Sequence, residues 1–291
     1  MQVSPSLLHS RRRSRVTLAP QYGAGAAAGS GCKLYGSTAV YAPSMTPVTL
    51  DVVLVMPEAL RRQAVTCNEL LSAQVVAGGS SSHFQLGKSF SGEHGEHCEP
   101  HVSLFMLTVD EAEVGEVTYV VEQLARTLPA LAVEGAEYRH NPYGALEVYF
   151  TKSAAWRVLQ RAVIASVEPL RRGRLREVDP SGVHIRDLVG NATQHNSRRQ
   201  QLLRYGYDEV ADESNGGHDR FNPHATLAWP RDPNFRFALE GLSSPRVFSG
   251  LLTELAVFGM SAYGTCTKNY GTFSLKHRRD RSCDSTSRSS R

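Results

Sequence analysis

The sequence predicts an α+β fold, and three observations carry that reading. Short apolar, β-branched runs are interspersed with longer stretches of helical periodicity. One kind of strand occurs twice, each copy entered by Pro-His and continued by apolar–hydroxyl–apolar alternation. No apolar run reaches the roughly 18 residues that a bilayer-spanning helix requires, so the chain reads as soluble, and its cysteine usage makes a reducing, cytoplasmic compartment the expectation.

In chain order, Thr49 to Met56 has the character of a buried strand. Pro57 suits the first turn of a helix over 58–76, whose stripe is Leu60, Ala64, Leu70, Leu71 and Val75. Gly78 to Ser82 is a break, and residues 91–100 are polar loop. His101 to Thr108 is a second strand. Residues 110–128 are predicted helical, with acids in the first turn and Val114, Val117, Val121, Leu124 and Leu128 at helical spacing. Residues 131–138 and 145–151 read as strands joined around Asn141-Pro142-Tyr143-Gly144, a turn by composition. A third helix covers 153–170. Residues 171–220, rich in Arg, Asp, Asn, Gln and Gly, read as a linker or insertion, with a short helix at 197–205 and an exposed loop at 211–219. His224 to Trp229 is a strand, Asp232 to Leu239 a short helix, and 251–258 and 270–275 further strands. The folded body is thereby expected within residues 46–275, between disordered basic tails at 1–45 and 276–291. For residues 1–45 the alternatives are a start at Met45 and, least favoured, an organelle-targeting segment.

The formal charge of +4 is carried by the tails. Residues 1–45 hold five basic residues and no acid, residues 276–291 six basic residues and two acids, which leaves a net of −5 on the body. A mildly acidic body is ill suited to gripping long nucleic acid through many phosphates, but it is compatible with a small local anion site. The five cysteines include no C-x-x-C pair and are odd in number, which disfavours a disulfide framework.

The doubled strand carries the chemistry. Its copies are Pro100-His101-Val102-Ser103-Leu104 and Pro223-His224-Ala225-Thr226-Leu227. Residues i and i+2 of a strand share a face, so each copy sets an imidazole and a hydroxyl side by side and turns its apolar residues to the core. H-x-[ST] by itself is a weak signal in a chain with eleven histidines, and a third copy, His195-Asn196-Ser197, lies in a polar segment without strand alternation. A single such strand is better explained as core with a hydrogen-bonded histidine. A pair matched at five positions in equivalent contexts points to function.

At these residues the sequence resembles the 2H phosphoesterase superfamily, which includes 2′-5′ RNA ligase-like proteins and cyclic phosphodiesterases. The resemblance covers about residues 48–275 and is closest over Phe221 to Ala228. It implies two pseudo-symmetric lobes, each an antiparallel-rich sheet with outer helices, around a central cleft, with His101 and His224 as the catalytic pair. It also implies substrates that are small cyclic nucleotides or RNA termini, with 2′,3′-cyclic phosphates or 2′-5′ bonds cleaved or, in reverse, ligated. Ligase-like members often carry Arg two places beyond the motif leucine, where this chain has Trp229; Arg139, Arg231 and Lys268 are the candidates to replace that phosphate contact.

The residue types suit the reaction. Imidazole titrates near 6.5, so one ring can take a proton from water while the other gives one to the leaving oxygen. Ser103 and Thr226 can donate hydrogen bonds to the phosphate oxygens, and this chemistry requires no metal or other cofactor. Tyr143, Tyr263 and Tyr270 lie in or beside turns and are candidates to stack on a base. The body is expected to act as a monomer, with no membrane or protein partner. Two alternatives remain: a non-catalytic module that binds nucleotides or RNA ends, and a metal-dependent hydrolase built on the His94–His97 region.

Overall fold

The computed structural model describes residues 46–90, 97–191, 196–212 and 219–276. The first basic tail, the second beyond Lys276, His94, His195 and most of the loop predicted at 211–219 lie outside these residues. The fold is α+β with antiparallel sheets, as expected. Strands β1 (Pro47–Val55), β2 (His101–Asp110), β8 (Glu254–Met260) and β9 (Cys266–Ser274) form one sheet in the order β2-β1-β8-β9. Strands β4 (Gly135–His140), β5 (Leu146–Phe150) and β6 (His224–Ala228) form a second in the order β4-β5-β6, and β3 (Leu131–Val133) pairs with β7 (Gly250–Leu252). Every strand pair is antiparallel.

The helices cross between the sheets. Helix α1 (Glu58–Ala77), which follows β1, packs on β6 of the other sheet, and α3 (Ala154–Val167), which follows β5, packs on β2. Helix α2 (Val114–Ala125) lies on β8, β9 and α3. One continuous apolar core therefore runs through both halves, with Leu50, Leu71, Phe105, Leu146, Trp156, Leu227 and Phe248 fully covered.

The strands β2 and β6 are both sheet edges, and they lie against each other. Each carries one extra residue. In β2, Val52 faces Phe105 and Val53 faces Ser103, so Leu104 is skipped by its partner. In β6, Leu146 faces Ala228 and Glu147 faces Thr226, so Leu227 is skipped. Such a bulge breaks strand alternation and leaves a carbonyl without its ladder partner. Both carbonyls are satisfied by a buried amide from the helix that crosses over. Gln160 of α3 donates to Leu104 O at 3.0 Å, and Asn68 of α1 donates to Leu227 O at 2.7 Å. The same side chains also fasten loops. Asn68 Oδ1 accepts from Leu86 N, and Gln160 Oε1 accepts from Ala211 N while its amide also reaches Glu209 O.

Two local expectations require correction. Asp232 to Leu239 is not helical: the Asp232 carboxylate accepts from Asn234 N in a turn, and Phe235 and Phe237 pack edge to face, with Phe237 stacked on His140. Within 171–220 the short helix expected at 197–205 is present as α5 (Asn196–Tyr205), and α4 (Ile185–Gly190) precedes it, with a small core of Ile185, Leu188 and Leu202. Ala211, the first residue of the loop expected to be exposed at 211–219, is buried, since Gln160 binds its backbone. Among the described residues no helix is long and apolar enough to cross a membrane.

Truncating either amide orphans buried backbone groups. Gln160→Ala and Asn68→Ala are each expected to lose about 2–3 kcal/mol in urea unfolding. A loss within error for both would show that the bulges do not depend on them.

Candidate functional site

The bulges decide which side chains reach the space between the two edges. Unbroken alternation would bring Phe105 onto the face of His101 and Ser103; with Leu104 bulged, Met106 takes that place. In β6 the same shift puts Trp229 beside His224 and Thr226. All six side chains line one cleft of about 730 Å³, counting its open mouth. The structure thus brings together both predicted histidines and both predicted hydroxyls.

The histidines are oriented alike. His101 Nδ1 lies 2.7 Å from Glu99 O, and His224 Nδ1 lies 2.7 Å from Asn222 O. A carbonyl oxygen only accepts, so Nδ1 carries the hydrogen in both rings and Nε2 is the nitrogen left for chemistry. The prolines at 100 and 223 favour the extended backbone that turns each carbonyl back onto its ring.

Their surroundings differ. His101 Nε2 faces the thiol of Cys266 at 3.5 Å. Burial pushes His101 below its ordinary value, and the charge of His224 adds to this, against the hydrogen bond to Glu99 O. His224 Nε2 lies 3.8 Å from Glu147 Oε1, and Tyr149 stacks on the ring. Burial would lower His224 as well, but the charges of Glu147 and Glu209 outweigh it and hold this ring above its ordinary value. Glu147 is itself held by Asn141 Nδ2 at 2.7 Å and the Tyr149 hydroxyl at 2.7 Å.

The hydroxyls differ too. Ser103 Oγ donates to Asp51 Oδ2 at 2.6 Å, whereas Thr226 makes no side-chain hydrogen bond among the described residues. Asp51 is wholly buried on β1, and burial pushes its carboxyl up to about 7, against the Ser103 bond and the charge of Arg176.

The remaining wall comes from the insertion, which supplies Arg176, Asp179, Arg198, Asp208 and Glu209. Sequence reasoning missed these lining residues because the segment shows neither strand nor helix periodicity around them. Arg198 binds Asp208 at 2.5 Å and Asp179 at 3.3 Å; buried Arg176 bonds Met106 Sδ at 3.1 Å and lies over the Tyr207 ring. The three cations nominated from sequence do not line the cleft. Arg139 pairs with Glu137 and covers Tyr149, Lys268 covers Tyr270, and Arg231 is outside the lining.

Of the three tyrosines, Tyr143 and Tyr263 line the cleft, and Tyr270 does not. Trp229 is buried yet borders the cleft, stacked against Tyr143 at 6.2 Å between centroids and edge-on to Tyr263 at 5.6 Å. Tyr263 has a positive φ of 61° and stacks on His83 at 3.6 Å, so its ring is held at some backbone cost. In the histidine-rich region, His94 lies outside the described residues and His97 is exposed. Among the described residues, the group with metal-ligand spacing is Asp51, His101 and Cys266.

No family model matches the chain, and no curated protein matches it. Solved structures similar to it include TT0787 of Thermus thermophilus, at 16% identity and a TM-score of 0.42, covering 79% of this chain and 100% of that one. Escherichia coli LigT complexed with 3′-AMP matches at 11% identity and 0.44, covering 79% and 99%. Kluyveromyces marxianus Usb1 with uridine monophosphate matches at 12% identity and 0.30, covering 79% and 97%.

The Glu147 contact yields a direct test. In an NMR titration of the imidazole Cε1–H signals, His224 is expected to titrate at lower pH in Glu147→Gln than in the native chain, because a charge that favours its protonated form is gone. An unchanged midpoint would contradict this reading of the site.

Proposed function

We propose that this chain is a 2H phosphoesterase that opens 2′,3′-cyclic phosphates or cleaves 2′-5′ phosphodiester bonds of small nucleotides or RNA ends. The observation that carries the reading is the matched pair of histidines on facing bulged strands. Both rings have Nδ1 consumed by backbone, and both border one cleft.

The asymmetry of their surroundings supports a division of labour. His101, favoured neutral, takes the proton from water as it attacks phosphorus. His224, favoured protonated beside Glu147, gives its proton to the 2′ or 3′ oxygen as the phosphorus–oxygen bond breaks. The product is a phosphomonoester, and the protons are exchanged back through solvent. Run in reverse, the same pair would join a hydroxyl to the phosphate. Thr226 is free to donate to a non-bridging oxygen. Ser103 can do so when Asp51 is protonated, for the acid then donates to Ser103 Oγ and frees the hydroxyl hydrogen. Arg176 and Arg198 line the cleft, which supports them as the phosphate's cationic partners in place of the three nominated from sequence.

Charge supports a small substrate. Glu147, Asp179, Asp208 and Glu209 share the cleft with the two arginines, so it tolerates a singly charged diester better than a run of phosphates. Tyr143, Tyr263 and Trp229 offer a rim of rings on which a base can stack.

Assayed against a panel of 2′,3′-cyclic nucleotides and 2′-5′ dinucleotides, His101→Ala and His224→Ala are each expected to lose roughly 10²–10⁴-fold in kcat/KM with unchanged melting temperature. Unfolding of both variants, or activity kept in either, would contradict the assignment. The pH profile of kcat/KM is expected to be a bell. Its acid limb lies below the ordinary histidine value of 6.5 and reports His101; its alkaline limb lies above and reports His224. A single limb would remove the two-histidine mechanism.

A further inference from the structure

Cys266 opens β9 at the edge of the site and is fully buried, 3.5 Å through Sγ from His101 Nε2 and 4.0 Å from Asp51 Oδ2. The three ligand atoms of Asp51, His101 and Cys266 lie within 4.8 Å of one another. A tetrahedral zinc ion with a thiolate at about 2.3 Å and nitrogen or oxygen at about 2.0–2.1 Å sets neighbouring ligand atoms about 3.5 Å apart. The sulfur–nitrogen separation already has that length, and the sulfur–oxygen separation needs to close by about half an ångström. Two further features fit a cation. Asp51 Oδ1 is buried without a hydrogen-bond partner, an acceptor left over where buried acceptors are ordinarily filled. The Nδ1–H of His101 is bound to a carbonyl, the arrangement that orients a metal-ligating imidazole and leaves Nε2 as the donor atom.

We propose that Asp51, His101 and Cys266 form a zinc-binding site that switches the enzyme off by occupying the Nε2 lone pair of His101. The switch rests on the proposed role of His101 as base; the binding site itself does not. Zinc replaces the thiol hydrogen of Cys266, which leaves as a proton, and no oxidation or reduction is involved. Three protein ligands leave one position for water, yet a metal-held His101 can no longer accept a proton from the attacking water. Entry is from the cleft, past the half-buried His101 ring. Nitrogen, oxygen and sulfur together favour zinc over magnesium or calcium, which take oxygen alone.

The test uses the full chain freed of metal by chelator. Cobalt(II) added to the native protein is expected to give a thiolate-to-cobalt charge-transfer band in the near ultraviolet that zinc displaces. The band should vanish in Cys266→Ala. Zinc is expected to inhibit cyclic nucleotide hydrolysis reversibly, with chelator restoring the rate. Cys266→Ala is expected to keep turnover while needing at least roughly 10-fold more zinc for the same inhibition, since losing even an outer partner of a metal ligand costs that much affinity. A native protein without the band, or a band unaltered in Cys266→Ala, would overturn the site. Stimulation by zinc, or equal inhibition of native and variant, would overturn the switch. A protein that shows the band but hydrolyses nothing without metal would keep the site and refute the proposed function, so the two failures are distinguishable.

Discussion

Two buried amide side chains hold the bulges on which the site depends. A bulged leucine on an edge strand offers a carbonyl that no neighbouring strand can satisfy, and water is excluded where Leu104 and Leu227 sit. Asn68 and Gln160 supply the missing donors, each from a helix that has crossed over from the opposite half. The crossing is therefore more than a packing pattern: each half of the molecule satisfies the bulged edge of the other. Because each bulge shifts strand phase by one residue, it also decides that Met106 and Trp229, rather than their predecessors, border the cleft.

On this matched frame the chemistry is made unequal. The backbone fixes both imidazoles in one tautomer, so the difference between them comes from what faces Nε2. Carboxylates near His224 stabilise the imidazolium, while burial and the charge of His224 favour the neutral form of His101. A geometric repeat thus presents two unequal imidazoles, set apart by Glu147 on β5 and by Glu209, neither of which belongs to the repeated motif. The insertion then closes the cleft with acids and arginines in near balance, which limits how much negative charge a ligand can bring.

Much of this was legible in the sequence. The paired Pro-His-x-[ST]-Leu strands led to the two histidines and hydroxyls because strand periodicity places i and i+2 together, and Val114 to Leu124 gave away its helix by apolar spacing after an acidic first turn. What was hidden depends on contacts between distant residues. Alternation alone cannot report a bulge, which is a property of pairing with β1 or β5. Asn68 and Gln160 look like ordinary polar positions on α1 and α3, though a buried amide among apolar neighbours at helical spacing was a signal to follow. Asp51 sits in an apolar strand run and could have been singled out as its one charge. Arg176 and Arg198 were unreadable because the contacts that hold them, Asp208 for one and the Tyr207 ring for the other, leave no periodic trace in the sequence. The short helix expected at 232–239 failed because Pro233 and the Asp232 side chain favour a turn.

The central claim is that two imidazoles act on one phosphorus atom. Nitrogen-15 NMR of the histidine side chains, recorded while a nucleoside 2′- or 3′-monophosphate is titrated into the protein, tests it most directly. Both His101 and His224 should show the Nδ1–H tautomer when neutral, and both Nε2 signals should move together at one binding constant. A phosphate that shifts one ring and leaves the other untouched would contradict the account.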